Sequence, residues 1–139
     1  MTISARNVFE GSITAVTPGA VNSEIEITTA SGVKIVSTVT VESARALGLV
    51  PGRKAVALIK APSVIVVSGT PGLRFSARNQ LTGTVVRIAA GAVNSDVSID
   101  VGGNVLQAVV TNEAVTELGL AEGGTATAMF KAGSVIVGV

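Results

Sequence analysis

Cysteine, histidine, tryptophan and tyrosine are all absent from this 139-residue chain, and only three phenylalanines occur. Without cysteine there are no disulfides and no thiolate metal sites, which fits a reducing compartment. Without histidine, a site for a transition-metal cation would need carboxylates alone, and these suit hard cations better. We therefore expect no site for a free metal cation.

The same absences argue against catalysis. Neither cysteine nor histidine is available as a nucleophile or general base, and no pair of acidic residues suggests an acid–base couple. The chain also lacks a P-loop and a dinucleotide-binding fingerprint. These observations predict a protein that is not an enzyme.

Charge and hydrophobic runs limit the partners. The formal net charge is only +1, so there is no broad basic field and we expect no nucleic-acid partner. No apolar run approaches the roughly 18–20 residues of a membrane helix, and no signal peptide is recognised before Ser4. The sequence predicts a cytoplasmic protein without a membrane partner.

What the chain does contain is one pattern used twice. Ser4-Ala5-Arg6-Asn7 returns 72 residues later as Ser76-Ala77-Arg78-Asn79, and Gly19-Ala20-Val21-Asn22-Ser23 returns as Gly91-Ala92-Val93-Asn94-Ser95. One residue is lost near Gly102-Gly103, after which the offset is 71. The pattern indicates a tandem duplication.

The duplication predicts two domains, one over residues 1–68 and one over residues 73–139. Residues 69–72 are rich in glycine and proline and are the predicted linker. Units of this size are marginally stable alone, so we expect them to dock against each other or against further subunits.

Each repeat is predicted to form five short strands and one helix, because valine and isoleucine favour β-structure. The predicted strands cover residues 7–17, 24–28, 33–39, 54–60 and 64–67, and then 79–89, 95–101, 104–110, 125–131 and 134–138. Thr40 is the expected N-cap of the first helix and Gly48 its end; the second helix is expected near 112–118. A helix between strands three and four predicts an all-β fold of two tandem five-stranded OB-type barrels, with a bare sandwich as the competing fold.

The two copies can be compared to separate functional charges from incidental ones. Most cationic residues, such as Lys54, have an uncharged counterpart in the other repeat. Only Arg6 with Arg78, and Lys60 with Lys131, recur in register. A charge kept in both copies indicates a shared role, whereas a solvated surface charge drifts.

The other recurring polar residues are mostly hydrogen-bond donors. They include Ser4/Ser76, Asn7/Asn79, Asn22/Asn94, Ser23/Ser95, Thr40/Thr111 and Ser63/Ser134. Donors together with one arginine and one lysine per repeat are the chemistry that an anion needs. A tight glycine-containing turn can expose backbone N–H groups to an anion, and so can a helix N-terminus beside a lysine.

Structural alternatives stand beside each of these interpretations. The Ser-Ala-Arg-Asn segment could simply begin a strand, the glycine turn could be an ordinary connection, and Thr40 could be a plain N-cap. The recurring acids Glu24/Asp96 and Glu42/Glu113 are interpreted as strand-surface and helix-start residues.

Taken together, the motifs resemble those of the molbindin family, small molybdate-binding domains of OB-type fold. The resemblance rests on the Ser-Ala-Arg-Asn start, the Gly-Ala-Val-Asn-Ser turn, the Thr40-Val41-Glu42-Ser43-Ala44 helix start and Lys60-Ala61-Pro62, and it covers the whole chain as two consecutive copies. It implies a cytoplasmic store of molybdate, with tungstate as an analogue. It also implies a homotrimer of two-domain chains with oxyanion sites between domains.

The resemblance implies two types of oxyanion site. One is formed by the turns Gly19, Ala20, Val21, Asn22 and Ser23, and Gly91, Ala92, Val93, Asn94 and Ser95, near the threefold axis. The other uses Ser4, Ala5, Arg6, Thr40, Ser43, Lys60 and Ala61, and in the second copy Ser76, Ala77, Arg78, Thr111, Lys131 and Ala132. The second copy departs from this pattern with Ala114 in place of Ser43 and Gly133 in place of Pro62.

Elementary chemistry supports such a ligand. Molybdate is a tetrahedral dianion that only accepts hydrogen bonds, so a site made of N–H, O–H and cationic donors satisfies it. Phosphate is protonated near neutral pH, and its O–H would lack an acceptor in such a site, which is costly. Sulfate has the same charge and shape, so its rejection must come from its smaller size.

Two other functions are kept as alternatives. An oxyanion-sensing regulatory module would act on a separate partner protein. An OB-type oligonucleotide binder would need aromatic stacking platforms, and Phe9, Phe75 and Phe130 are too few and too scattered for that role.

Overall fold

A computed structural model describes residues 2–139 as two five-stranded antiparallel sheets, each accompanied by one short helix. The first repeat forms β1 (Asn7–Pro18), β2 (Asn22–Thr29), β3 (Lys34–Thr40), α1 (Val41–Leu47), β4 (Lys54–Ile59) and β5 (Ile65–Ser68). The second forms β6 (Asn79–Ala90), β7 (Asn94–Asp100), β8 (Val105–Thr111), α2 (Asn112–Leu118), β9 (Thr125–Phe130) and β10 (Ile136–Gly138). This confirms the predicted all-β fold of two OB-type units, each with a helix between its third and fourth strands.

The sheets follow from the alternation of apolar and polar residues. In β2, Ile25 and Ile27 are fully buried while the residues between them are partly exposed, and Val97 and Ile99 repeat this in β7. Side chains alternate between the two faces of a strand, so each strand contributes one apolar face to the interior. The buried faces of both repeats form one continuous core.

Close contact between neighbouring strands explains why glycine recurs at positions 11 and 83. A side chain at Gly11 would collide with the backbone carbonyl of Thr28, and one at Gly83 would collide with that of Asp100. Only glycine lets the long first strand of each repeat cross its neighbour at this distance. The β-bulge of β1 lies further on, between Ile13 and Ala15.

The helices begin and end as the sequence predicts. The Thr40 hydroxyl accepts a hydrogen bond of 3.0 Å from the Ser43 backbone N–H, which satisfies one of the free donors of the first turn. Gly48 ends α1 with a φ of 65°, in the left-handed region that glycine adopts most easily. Among residues 2–139, neither helix is long and apolar enough to cross a membrane.

The last strand of each repeat belongs to the sheet of the other repeat. The strand orders are β10-β4-β1-β2-β3 and β5-β9-β6-β7-β8. Val137 of β10 pairs with Ala57, and Val66 of β5 pairs with Ala128. Each sheet is therefore completed by a strand from the other half of the sequence, and neither repeat finishes its own sheet.

Two buried asparagines join the repeats a second time. The Asn79 side-chain amide donates to the Val36 carbonyl and accepts from the Val36 N–H, both at 2.8 Å. Asn7 makes the same two bonds, also at 2.8 Å, to the backbone of Gln107. Each amide thus takes the place of a neighbouring strand at the edge of β3 or β8.

Further contacts between the repeats lie on either side of these amides. The buried Ser37 hydroxyl donates to the Val135 carbonyl at 2.7 Å. The Asn104 side-chain oxygen accepts from Thr29 at 2.8 Å and from Ser31 at 2.6 Å. Hydrogen bonds as well as apolar packing therefore hold the two repeats in one arrangement.

Replacing Asn79 with alanine should destabilise the fold, because the N–H and C=O of Val36 would both lose their partner. Leaving a buried polar group unpaired costs about 1–3 kcal/mol, so we expect the free energy of unfolding to fall by about 2–4 kcal/mol in chemical denaturation. Asn94→Ala is the matched control, since Asn94 is exposed and its side chain makes no hydrogen bond to any of residues 2–139. Equal losses for the two variants would contradict the edge-pairing role.

Candidate functional site

Each Ser-Ala-Arg segment lies beside the lysine of its own repeat in an open cleft. The second cleft, of about 480 Å³, is lined by Thr38, Ile65, Phe75, Ser76, Ala77, Arg78, Met129, Lys131, Ala132 and Gly133. The first cleft, of about 360 Å³, is lined by Ile3, Ser4, Ala5, Leu58, Lys60, Ser63, Ser134 and Ile136. The fold thus brings together, twice, the strand-start and lysine segments that the sequence had singled out.

Strand exchange makes both clefts composite. The second cleft takes Ile65 and Thr38 from the first repeat, and the first cleft takes Ser134 and Ile136 from the second repeat. Ile65 and Ile136 lie on the exchanged strands β5 and β10. Neither repeat on its own would form the complete wall of its cleft.

A short 3-10 turn follows each lysine and keeps its side chain at the surface. Ala61 and Ala132 are buried at the start of short 3-10 turns that run from Ala61 to Ser63 and from Ala132 to Ser134. The Lys60 carbonyl accepts from the Ser63 N–H at 2.9 Å, which closes the first turn. An inward alanine beside an exposed lysine explains why Lys-Ala recurs: the alanine packs while the ammonium group faces solvent.

The glycine turns and the helix starts form a separate cluster in each repeat. In the first repeat, the Gly19 N–H donates to the Asn22 carbonyl at 2.9 Å and the Val41 N–H donates to the Val21 carbonyl at 2.9 Å. Asn22 lies directly opposite Thr40 across β2 and β3. The Thr40 hydroxyl also donates to the Ser43 hydroxyl at 2.8 Å.

The second repeat builds the same cluster, with two further bonds made by the Asn112 side chain. The Asn112 side-chain amide donates to the Gly91 carbonyl at 2.9 Å, and its oxygen accepts from the Ser95 hydroxyl. Thr111 caps α2 by accepting from the Ala114 N–H at 3.1 Å. The counterpart of Asn112 in the first repeat is Val41. Asn112 is therefore not a recurring polar residue, and the sequence comparison did not predict its role.

The turns carry exposed residues at their tips. Val21 is 73% exposed and Val93 is 68% exposed. Ala20, Asn22, Ala92 and Asn94 are exposed as well, whereas Ser23 and Ser95 are buried. The apolar valines therefore project into solvent in the single chain, and the two serine side chains do not.

One of the two expected types of oxyanion site uses the Ser-Ala-Arg start, the lysine and the helix start. The structure places these donors in two separate regions of the chain. Neither cleft is lined by Thr40, Ser43 or Thr111. The structure brings serine and lysine together in both clefts, joined by Arg78 in the second one, and it brings the glycine turn and helix start together elsewhere.

Both arginines reach across to an acid of the other repeat. The Arg6 Nη1 lies 2.7 Å from the Asp96 Oδ2, and the Arg78 Nη1 contacts the Glu24 Oε2. Sequence reasoning interpreted these acids as strand-surface residues and missed the pairing. Their recurrence in register at positions 24 and 96 was the available signal.

A cation site in the described residues would need several acidic ligands close together. Within residues 2–139, no group of three or more acidic side chains is placed to hold a metal ion. The polar side chains in the clefts are hydroxyl and cationic groups, with both Glu24 and Asp96 bound to arginine. The clefts are therefore suited to an anion.

Comparison with known proteins identifies the family. The model of the TOBE domain matches the chain twice, over residues 3–66 and 76–137. The chain is 50% identical to the cytoplasmic molybdate-binding protein ModG, whose crystal structure has molybdate bound. The two superpose with a TM-score of 0.94 over 100% of this chain and 99% of that one.

Curated relatives agree. The chain is 45% identical to the molybdenum transport protein ModE of Herbaspirillum seropedicae, over 100% of this chain and 52% of the relative. It is 41% identical to the molybdenum-pterin-binding protein MopA of Rhodobacter capsulatus, over 99% of this chain and 52% of the relative. The chain thus spans about half the length of these curated relatives. With both repeats matched by the domain model and the whole chain superposed on a molbindin, the chain belongs to the molbindin family as a tandem pair of TOBE domains.

Proposed function

We propose that this protein binds molybdate, with tungstate as an analogue, as an intracellular store of molybdenum without catalysis. The observation that carries the proposal is the pair of clefts in which a serine and a lysine of the same repeat meet in equivalent positions, with Arg78 also lining the second cleft. Support comes from the ModG structure, which was determined with molybdate bound.

The chemistry of the clefts favours an unprotonated dianion. Lys60 and Lys131 supply ammonium donors, and Ser4 and Ser76 supply hydroxyls. Hydrogen bonds with charged partners are shorter and stronger than neutral ones, which compensates for the exposure of these groups. A protonated anion would place an O–H donor beside the lysine ammonium groups, which have no acceptor to offer it.

The names of some relatives suggest a second function. Several are named as regulators, among them the DNA-binding transcriptional dual regulator ModE of Escherichia coli, which is 33% identical over 96% of this chain and 51% of the relative. The present chain would then act as an oxyanion-sensing module on a separate partner protein. Affinity capture from extract with and without molybdate distinguishes the two, because a store retains no partner in a molybdate-dependent manner.

We also propose that the sites are completed by assembly into a homotrimer in the cytoplasm. Thr40 and Ser43 in the first repeat, and Thr111 in the second, lie outside both clefts of their own chain. The exposed Val21 and Val93 turns offer apolar surface for contacts between chains. A neighbouring chain would bring its helix start and glycine turn to the open side of a cleft.

The assembly predicts three chains per particle. Native mass spectrometry should give a mass of three chains, since the donors split within one chain are then joined at interfaces. Light scattering with and without molybdate measures the same quantity in solution. A monomer that binds molybdate tightly would rule out sites shared between chains.

Lysine substitution tests the clefts. Lys60→Ala should weaken molybdate binding at its sites by about tenfold or more, because a hydrogen bond to a charged group is worth about 1.5–3 kcal/mol. Calorimetric titration measures this, with sulfate and phosphate as competing anions.

Lys54→Ala is the matched control for Lys60. Lys54 begins β4, the strand that ends at Ile59 just before Lys60, but it lines a different groove, beside Glu10 and Val139. Arg53 is less suitable, since its Nη1 donates to the Leu47 carbonyl at 2.7 Å at the end of α1. If Lys54→Ala reduced affinity as much as Lys60→Ala, the argument from recurring charges would be wrong.

The difference between Ser43 and Ala114 predicts two classes of affinity. Sites that use Ser43 have one more hydroxyl donor, a bond of about 1.5–3 kcal/mol with an anion, less what water restores at Ala114. Titration should show the Ser43 sites filling first, and Ala114→Ser should bring the weaker class toward the stronger. Ser43→Ala should merge the classes at the weaker value. Isotherms unchanged in both variants would leave Ser43 as a helix-start residue bonded only to Thr40.

A further inference from the structure

Two ion pairs between the repeats hold the arginine side chains in place. Arg78 pairs with Glu24 and Arg6 pairs with Asp96, so each arginine is held by the other repeat. Both the arginines and the acids are separated by 72 residues. The same crossed pair is therefore made twice by the duplication.

The acids are on rigid supports. Glu24 lies in β2, which pairs with β1 on one side and with β3 on the other. Asp96 lies in β7, which is likewise paired with β6 and β8. Both acids are attached to the backbone of a central strand and have shorter side chains than arginine, so they sample fewer rotamers. The arginine side chains are 49% and 55% exposed, and those of the acids are 40% and 36% exposed.

The contact leaves the guanidinium able to bind a second anion. In both pairs a single nitrogen, Nη1, meets the carboxylate. A guanidinium carries five N–H donors in a planar fork. Neither arginine makes another side-chain hydrogen bond within residues 2–139. The free edge of the fork remains available to an oxyanion.

The length of the acid correlates with where the arginine lies. Glu24 is one methylene longer than Asp96, and its partner Arg78 lines the second cleft. Arg6, held by the shorter Asp96, is not part of the wall of the first cleft. The longer acid is therefore paired with the arginine that lies beside the serine and lysine of its cleft.

From these observations we infer that Glu24 and Asp96 are positioning residues for oxyanion binding, which act through Arg78 and Arg6. The inference rests on the proposed molybdate binding. The carboxylate immobilises the arginine before the anion arrives, so that less rotamer freedom is lost on binding. An acid that merely competed with the anion for the arginine would have the opposite effect, since its removal would strengthen binding.

The test uses the full chain in its own assembly, titrated with sodium molybdate by calorimetry. A Lys60→Ala background weakens the first cleft, so that the second cleft with Arg78 dominates the signal. In that background, Glu24→Gln should weaken molybdate binding by about two- to tenfold, the range that corresponds to immobilising one long side chain. The midpoint of thermal unfolding should stay unchanged, because an exposed ion pair contributes little to stability.

Glu26→Gln is the matched control. Glu26 lies two residues further along β2 on the same face, and its carboxylate accepts from the Thr14 hydroxyl at 2.7 Å instead of binding arginine. It removes the same charge from the same strand without releasing Arg78. A Glu24→Gln affinity equal to or tighter than that of Glu26→Gln would overturn the inference.

Two further measurements separate positioning from general effects. In the absence of molybdate, Glu24→Gln should increase the mobility of the Arg78 Nε–H in nuclear magnetic resonance, whereas Glu26→Gln should not. In a Lys131→Ala background, Asp96→Glu should tighten the first cleft by extending Arg6 toward Lys60, and an unchanged affinity would refute the dependence on length. Failure of the unmodified chain to bind molybdate would refute the proposed function itself, a result distinct from either of these.

Discussion

The exchange of the last strands is the constraint on which the rest of the structure depends. An isolated β-sheet edge leaves N–H and C=O groups unpaired, and here β10 covers the edge of β4 while β5 covers that of β9. The amides of Asn7 and Asn79 cover part of the opposite edges, at β8 and β3. The two repeats consequently share their sheets and their core, and a cleft in either repeat has walls from both.

This arrangement provides fixed positions for groups that would otherwise be mobile. The buried Ala61 and Ala132 anchor the turns that present the lysines. Helix caps and backbone bonds hold each glycine turn against its helix start. Rigid elements that place flexible donors are the usual basis of specific anion binding, because less freedom is lost when the ligand arrives.

Cationic donors of the clefts are accompanied by two acids, each bound to the arginine that follows the serine of a cleft. A free carboxylate beside an anion site would repel a dianion and would accept a proton from a protonated one. In this structure each acid is bound by an arginine of the opposite repeat. The pairing reduces the repulsion and leaves the other guanidinium N–H groups available, so cationic and acidic residues coexist at one interface.

The sequence by itself determined the duplication, the strand and helix order, the capping residues and the recurring serine, arginine and lysine, because these depend on local patterns and on register between the copies. Only the tertiary structure decided which repeat completes each sheet. A repeat of short apolar strands is equally compatible with β10 pairing with β9 or with β4, and nothing local distinguishes the two. The partners of Arg6 and Arg78 were hidden for the same reason, since Asp96 and Glu24 approach them only once the repeats have exchanged strands and docked.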